Sequence, residues 1–188
     1  MTTSPLSQPL ATSMLGRTGM EITRVGFGAW AIGGPDWAVG WGAQDDADSI
    51  RAIRHAVDRG VNWIDTAAIY GLGHSEKVVA RALAEMPAGQ RPSVFTKCGQ
   101  VWVPEARNSK IRVGRRESIM PECEDSLRRL NVDVIDLFQM HWPAEDGSAL
   151  EEYWEALLDL KAQGKVRAVG LSNHSADQLE QAEKLGHV

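Results

Sequence analysis

The sequence predicts a parallel α/β fold built from repeated strand–helix units, and two observations carry that expectation. Short, nearly continuous apolar runs alternate with amphipathic helical patterns five times, and such runs suit parallel strands covered on both faces. Strand starts recur at roughly 30–40 residues, near the repeat of a (β/α)8 barrel of about 250 residues. Five units do not close eight strands. The 188-residue chain therefore reads either as an open doubly wound sheet or as part of a longer barrel.

The opening "MTTSPLSQPLATS" (1–13) is polar and rich in Ser, Thr and Pro. It has no basic segment followed by an apolar one, so it reads as a disordered tail and not as a signal peptide. The folded part is expected over 14–188. "MLGRTGMEITRVGF" carries a turn signal at "RTG" and reads as a small hairpin. "RVGFGAWAI" (24–32) reads as the first strand, with Gly26 and Gly28 marking close backbone approach. In "SIRAIRHAVDRG", Ile50, Ile53, Ala56 and Val57 form one helical face, and Gly60 stops the helix. "VNWIDTA" is a second strand. "SEKVVARALAEM" is a second helix, with Ser75 as its expected cap. "SVFTKCG" is a third strand, followed by "PEARNSKIRVGRRES" (104–118), which has no apolar period and reads as a loop. "SIMPECEDSLRRLN" is a third helix, its regular start placed near Pro121 at a first-turn position. "DVIDLFQMHW" is a fourth strand. "ALEEYWEALLDLKAQGK" is a fourth helix, ending near Gly164 with Lys161 in its last turn. "VRAVGLSN" is a fifth strand, and "SADQLEQAEKL" a fifth helix capped by Ser175.

Composition narrows the function. The formal net charge is −5 and there is no Lys/Arg block, which gives nucleic acid no footprint. No apolar run approaches the roughly 20 residues of a membrane span. The two cysteines, Cys98 and Cys123, lie far apart, which suggests a reduced, cytoplasmic protein, and no Cys/His cluster has metal-ligand spacing. By strand alternation Cys98 faces away from Lys97 and does not read as a nucleophile.

Polar residues collect at the carboxyl ends of successive strands: Asp65 with Tyr70 in its loop, Lys97, His141, and Ser172 with Asn173. In parallel α/β folds that edge is the active-site face. Any one of these residues is as readily an ion pair holding a loop, but four consecutive strands doing so argues for a site, because polar groups are otherwise costly there. A free phenol has a pKa of about 10 and transfers protons poorly at neutral pH. A lysine ammonium beside it favours the phenolate, and a carboxylate beside the lysine keeps that lysine charged. Asp65, Lys97 and Tyr70 supply such a relay, and His141 adds a donor able to orient a carbonyl oxygen. The set suits proton transfer coupled to hydride delivery, and the hydride must come from a cofactor. "GLGHSE" lacks the third glycine of a dinucleotide fingerprint and reads as a loop and helix start. Trp30, Trp102 and Trp142 fall near the strand-end loops; Trp63 and Trp154 read as packing. His55, His74 and His187 read as surface residues.

Five ordered segments resemble the aldo-keto reductases over nearly the whole chain after the tail: "GRTGMEITRVGFGAWAIGG", "GVNWIDTAAIYGLGHSEKVVARAL", "FTKCG", "MHWP" and "GKVRAVGLSNHS". "GGPDWAVGWG" and the short "YGLGHSE" look more like the bacterial general-stress and potassium-channel β-subunit side of that family. The resemblance implies a (β/α)8 barrel that uses NADPH without a Rossmann fold to reduce a small aldehyde or ketone. It implies Tyr70 as general acid, tuned by Lys97 and Asp65, with His141 positioning substrate. Ser172 and Asn173 would hold the nicotinamide carboxamide, Ala29 and Trp30 would approach the cofactor, and Asp65 would lie near its ribose. The family's sixth to eighth strands, with much of its cofactor site, have no counterpart here, so this 188-residue form is expected to be unstable and to bind NADPH weakly or not at all. His174 stands where the family usually has Phe or Tyr. The alternative implied is a redox-sensing partner subunit with the same fold and slow turnover.

Overall fold

The computed structural model of the chain describes residues 9–186 except 36, 38, 104 and 105. Its centre is a five-stranded parallel sheet of β3 (Phe27–Gly28), β4 (Trp63–Asp65), β5 (Ser93–Cys98), β8 (Ile135–Met140) and β9 (Val166–Leu171). The order in space is the order in sequence, and every neighbouring pair is parallel. A doubly wound sheet reverses its strand order at a switch point. Among the described strands there is no reversal, which favours the barrel reading over the open one. The crossovers are α1 (Asp46–Asp58), α2 (His74–Ala84), α3 (Arg116–Leu130) and α4 (Leu150–Ala162), with α5 (Ala176–Leu185) after the last strand. No helix among the described residues is long and apolar enough to cross a membrane.

Period-two alternation sorts the strand side chains onto two faces. Val94 and Cys98 of β5 join Ile53, Val79, Ile119, Trp154 and Leu157 in the core between sheet and helices. Phe95 points the other way, into a smaller cluster with Leu137 and Ala168. Leu15, Met20 and Ile22 cover that cluster from the hairpin of β1 (Thr12–Met14) and β2 (Glu21–Thr23), which is antiparallel as expected. Asn62 ties the hairpin to the sheet, accepting from the Thr23 amide at 2.8 Å and donating to the Glu21 carbonyl at 2.9 Å. Much of the tail expected over 1–13 lies outside the described residues, but Thr12 and Ser13 belong to β1, so order begins earlier than expected.

Five further expectations change. The first strand is two residues long, and Ala31–Gly33 form a 3-10 turn instead of continuing it. Gly26 does mark close approach: a Cβ there would sit 2.2 Å from the Trp63 ring, whereas Gly28 has open space. The segment expected to be a loop, 104–118, carries β7 (Ala106–Arg112), which pairs antiparallel with β6 (Gln100–Val103) just before it. Helix α3 starts at Arg116, so Pro121 lies inside it. The proline forfeits only the amide that would have bonded the Glu117 carbonyl, near the helix start. Helix α2 is preceded by Gly73 in the left-handed conformation, and Ser75 is an interior residue with another task. Ser175, by contrast, caps α5 as expected, in a capping box with Gln178.

Candidate active site

After Asp65 the chain runs along the end of β5 before it turns into α2. The Thr66 amide donates to the Phe95 carbonyl at 2.8 Å, extending the ladder by one bond. The Tyr70 loop then packs on the loop that follows β3. Gly71 has φ of +61°, and a Cβ there would fall 2.1 Å from the Gly33 carbonyl oxygen, so the two backbones touch. This contact brings Trp30 onto Tyr70, with parallel rings 5.9 Å apart.

The first turn of α2 is fastened from beneath. Ser75 Oγ donates to the Ala29 carbonyl at 2.9 Å, which spends its one hydrogen, so Thr66 Oγ1 is the donor in the 2.9 Å bond between the two hydroxyls. Glu76, with no exposed surface, accepts from Thr96 Oγ1 at 2.6 Å and from Arg129 Nε. This buried network anchors the Tyr70 loop to β5.

Lys97 Nζ donates to both oxygens of Asp65 and to the Thr66 carbonyl, each at 2.8 Å. The three ammonium hydrogens thus have three acceptors. Burial pushes the Lys97 pKa down, opposed by the charge and hydrogen bond of Asp65 and by the charge of Glu76. Nζ lies 5.3 Å from the centre of the Tyr70 ring. The phenol is pushed up from its ordinary value by burial first and by the Asp65 charge second. That corrects the expected direction: Asp65 cancels the lysine charge at contact distance, so burial decides and the phenol is held protonated. His141, buried at the end of β8, meets Tyr70 edge to face at 5.7 Å.

Asp65, Tyr70, Lys97, His141, Ser172 and Asn173 share the wall of one open cleft of about 320 Å³, with Trp30 at its side. Of the residues expected there, Ala29 does not reach it. Ala29 is fully buried, with its amide on the Asp65 carbonyl and its own carbonyl taken by Ser75. Trp37, which the sequence did not single out, lies 5.7 Å from the Tyr70 ring and lines the same cleft. Its only signal was the glycine-rich stretch around it. Trp142 also lines the cleft and carries the Arg112 guanidinium over its ring at 4.5 Å. Trp102 packs beside the Tyr70 cluster. His74 is not simply solvated, since its Nε2 meets Asp46 at 2.8 Å; His187 lies outside the described residues. Burial pushes both thiols up, that of Cys123 to about 12. Neither is a thiolate near neutrality.

The chemistry of Ser172 and Asn173 fits a carboxamide. Asn173 Nδ2 donates to the His141 carbonyl at 2.9 Å and to Ser172 Oγ at 3.1 Å. A carbonyl only accepts, which fixes the amide orientation and leaves Asn173 Oδ1 as acceptor. Ser172 Oγ, already accepting, keeps its hydrogen to donate. One donor and one acceptor side by side match the oxygen and nitrogen of a primary amide.

Comparison with known proteins points to one family. The chain is 41% identical over 163 residues to the aldo-keto reductase YhdN of Bacillus subtilis (strain 168), covering 87% of this chain and 47% of that protein. It is 38% identical over 186 residues to the NADH-specific methylglyoxal reductase of Escherichia coli (strain K12), covering 93% and 55%. Among solved structures, a glycerol dehydrogenase from Gluconobacter oxydans superposes with a TM-score of 0.82 at 42% identity, over 93% of this chain and 52% of that one. An aldo-keto reductase from Klebsiella pneumoniae in complex with NADPH superposes with a TM-score of 0.66 at 29% identity, over 86% and 49%. The chain spans about half the length of the curated relatives it matches. The model of the aldo/keto reductase family matches residues 24–188, and the chain belongs to that family.

Proposed function

We propose that this chain carries the proton-transfer half of a nicotinamide-dependent carbonyl reductase, which reduces a small aldehyde or ketone to the alcohol and runs reversibly. The observation that supports this most directly is Lys97, held by three acceptors at 2.8 Å beside a buried, protonated Tyr70 in a cleft shared with His141. Relatives named as a methylglyoxal reductase and a glycerol dehydrogenase agree with small substrates, as does the modest cleft. NADPH is the proposed cofactor, on the family resemblance and the NADPH complex of the Klebsiella relative, although the Escherichia coli relative is named NADH-specific.

The geometry supports the following roles. Ser172 and Asn173 hold the carboxamide and so fix which ring face meets the cleft. A bound reduced nicotinamide supplies the hydride. His141 and Tyr70 orient the substrate oxygen, and the aromatic wall of Trp30 and Trp37 excludes water. As hydride reaches the carbonyl carbon, its oxygen becomes an alkoxide, a stronger base than even a buried phenolate. The Tyr70 hydroxyl then gives up its proton downhill, and the Lys97 ammonium, turning one hydrogen from its present acceptors toward the phenolate oxygen, stabilises the anion that remains. In the reverse direction the phenolate takes the alcohol proton back.

The test is Tyr70→Phe in the protein at its native length. Carbonyl reduction with NADPH is expected to fall by about 10²–10⁴-fold, the usual worth of a positioned general acid, while dinucleotide affinity holds within a few fold. Undiminished turnover in the variant would sink the proposal.

A further inference from the structure

His174, directly after the Ser172–Asn173 pair, has both ring nitrogens engaged. Nδ1 lies 2.8 Å from the Ser172 carbonyl oxygen, and Nε2 lies 2.9 Å from the Tyr153 hydroxyl on α4. The carbonyl accepts only, so Nδ1 carries the hydrogen. In the neutral ring Nε2 must then accept, and Tyr153 donates. Burial holds the imidazole pKa below its ordinary value, against the pull of the Ser172 carbonyl. Tyr153 is itself buried and stands edge to face with the imidazole at 5.7 Å. The turn so braced is tight: Asn173 has φ of +62°, in the left-handed region that Asn adopts more readily than other non-glycine residues. The turn places Asn173 Nδ2 on the His141 carbonyl and Asn173 in the wall of the cleft.

We propose that His174, set in its Nδ1–H tautomer by the Ser172 carbonyl and held against α4 by Tyr153, is a positioning residue that holds the Ser172 carbonyl and thereby keeps Ser172 and Asn173 in the geometry that receives a carboxamide. His174 touches no ligand. It acts through the turn, and it links that turn to α4. The inference rests on the proposed nicotinamide role of the cleft, but its first readout does not depend on that role.

In wild-type protein at native length, long-range proton–nitrogen correlations of His174 near neutral pH are expected to show the Nδ1–H tautomer. The Nε2–H tautomer would overturn the proposal whether or not any dinucleotide binds. The second readout is the affinity for NADPH, titrated without carbonyl substrate, in three variants. His174→Ala is expected to weaken binding about tenfold, the worth of one net hydrogen bond. His174→Asn, whose Nδ2 occupies the place of Nδ1, is expected to recover most of it. His174→Gln, whose amide reaches the place of Nε2, is expected to resemble Ala. Equal affinity across wild type and all three variants, or rescue by Gln and not by Asn, would refute the positioning role while leaving the carbonyl-reductase reading intact. Wild type that fails to bind any nicotinamide dinucleotide would instead refute that reading, and with it the ligand clause of the inference; the tautomer would then decide only the bracing of the turn.

Discussion

Two ion pairs lie on opposite faces of β5, reached through adjacent residues: Lys97 is a member of one, and Thr96 donates a hydrogen bond to the other, which joins Glu76 of α2 to Arg129 of α3. Lys97 turns toward the cleft and meets Asp65, whose side chain is 32% exposed. Thr96 turns toward the helices and meets Glu76, whose carboxylate is fully buried and paired with an Arg129 that is 16% exposed. The residue types are alike; the access is not. A sealed pair can do little except hold two elements in register, because moving either charge leaves the other uncompensated in a low-dielectric place. A pair open on one side can be reached by a ligand and can change its hydrogen bonds during a reaction. The two-residue period of a strand therefore places an anchoring pair and a working pair back to back, and the first keeps the second in place.

The sharpest way to break this contrast is at the working pair. Lys97→Met is expected to lower carbonyl reduction by about 10²–10⁴-fold in the protein at native length, because the phenolate left by Tyr70 loses its stabilising charge. The midpoint of thermal unfolding should move little, since water can reach the partly exposed Asp65. Steady-state turnover and a melting curve on the same sample decide it. A variant that melts early yet turns over normally would reverse the assignment of the two pairs.

At the anchoring pair the expectation inverts. Glu76→Ala leaves Arg129 without its carboxylate and Thr96 without its acceptor, and should cost about 3–5 kcal/mol of stability. Replacing both partners, Glu76→Leu with Arg129→Met, should recover a large part, because a buried pair exchanged for apolar packing is often neutral. Denaturant unfolding of the single and double variants measures the difference. Equal losses in both would mean that shape, not charge, holds α2 to β5.

This contrast also shows what could be read before the fold was known. Asp65 and Lys97 were legible because each ends an apolar strand, where a charge has no packing role. The order of strands and helices was legible from period and from caps such as Ser175. Glu76 was not, because its partners stand 20 and 53 residues away and a glutamate in the first turn of a helix is ordinary in sequence. The β6–β7 hairpin was hidden for a different reason: it lies outside the five-stranded sheet and needs no alternating apolar pattern to be held by its own backbone ladder. The direction in which the Tyr70 phenol is pushed is hidden in the sequence, because spacing shows that Lys97 is near but not that its three hydrogens are already spent. Trp37 is hidden because a glycine-rich stretch marks a loop without showing which of its tryptophans faces the cleft.

The smallest effect tests that last point about Tyr70 directly. The chain has two tyrosines, so phenolate absorbance against pH resolves both. Tyr153 is pushed from 10.0 up to about 12, by burial first and Glu151 second. Tyr70 is pushed up further by burial and Asp65. Groups raised in this way contribute stability that is fully present below the unfolded value near pH 10 and is lost as pH climbs through the folded values. The native protein should therefore show no phenolate step at pH 10, with Tyr153 ionising first at about pH 12 and Tyr70 after it. Tyr70→Phe should delete only the later step. If the Lys97 ammonium were free to govern the phenol, Tyr70 would titrate first and below the ordinary tyrosine value, and the self-contained character of the working pair would be disproved. Adding Asp65→Asn sharpens the outcome, since removing the carboxylate takes away the charge that raises Tyr70 and frees the ammonium that would lower it, so its step should move downward while that of Tyr153 stays in place.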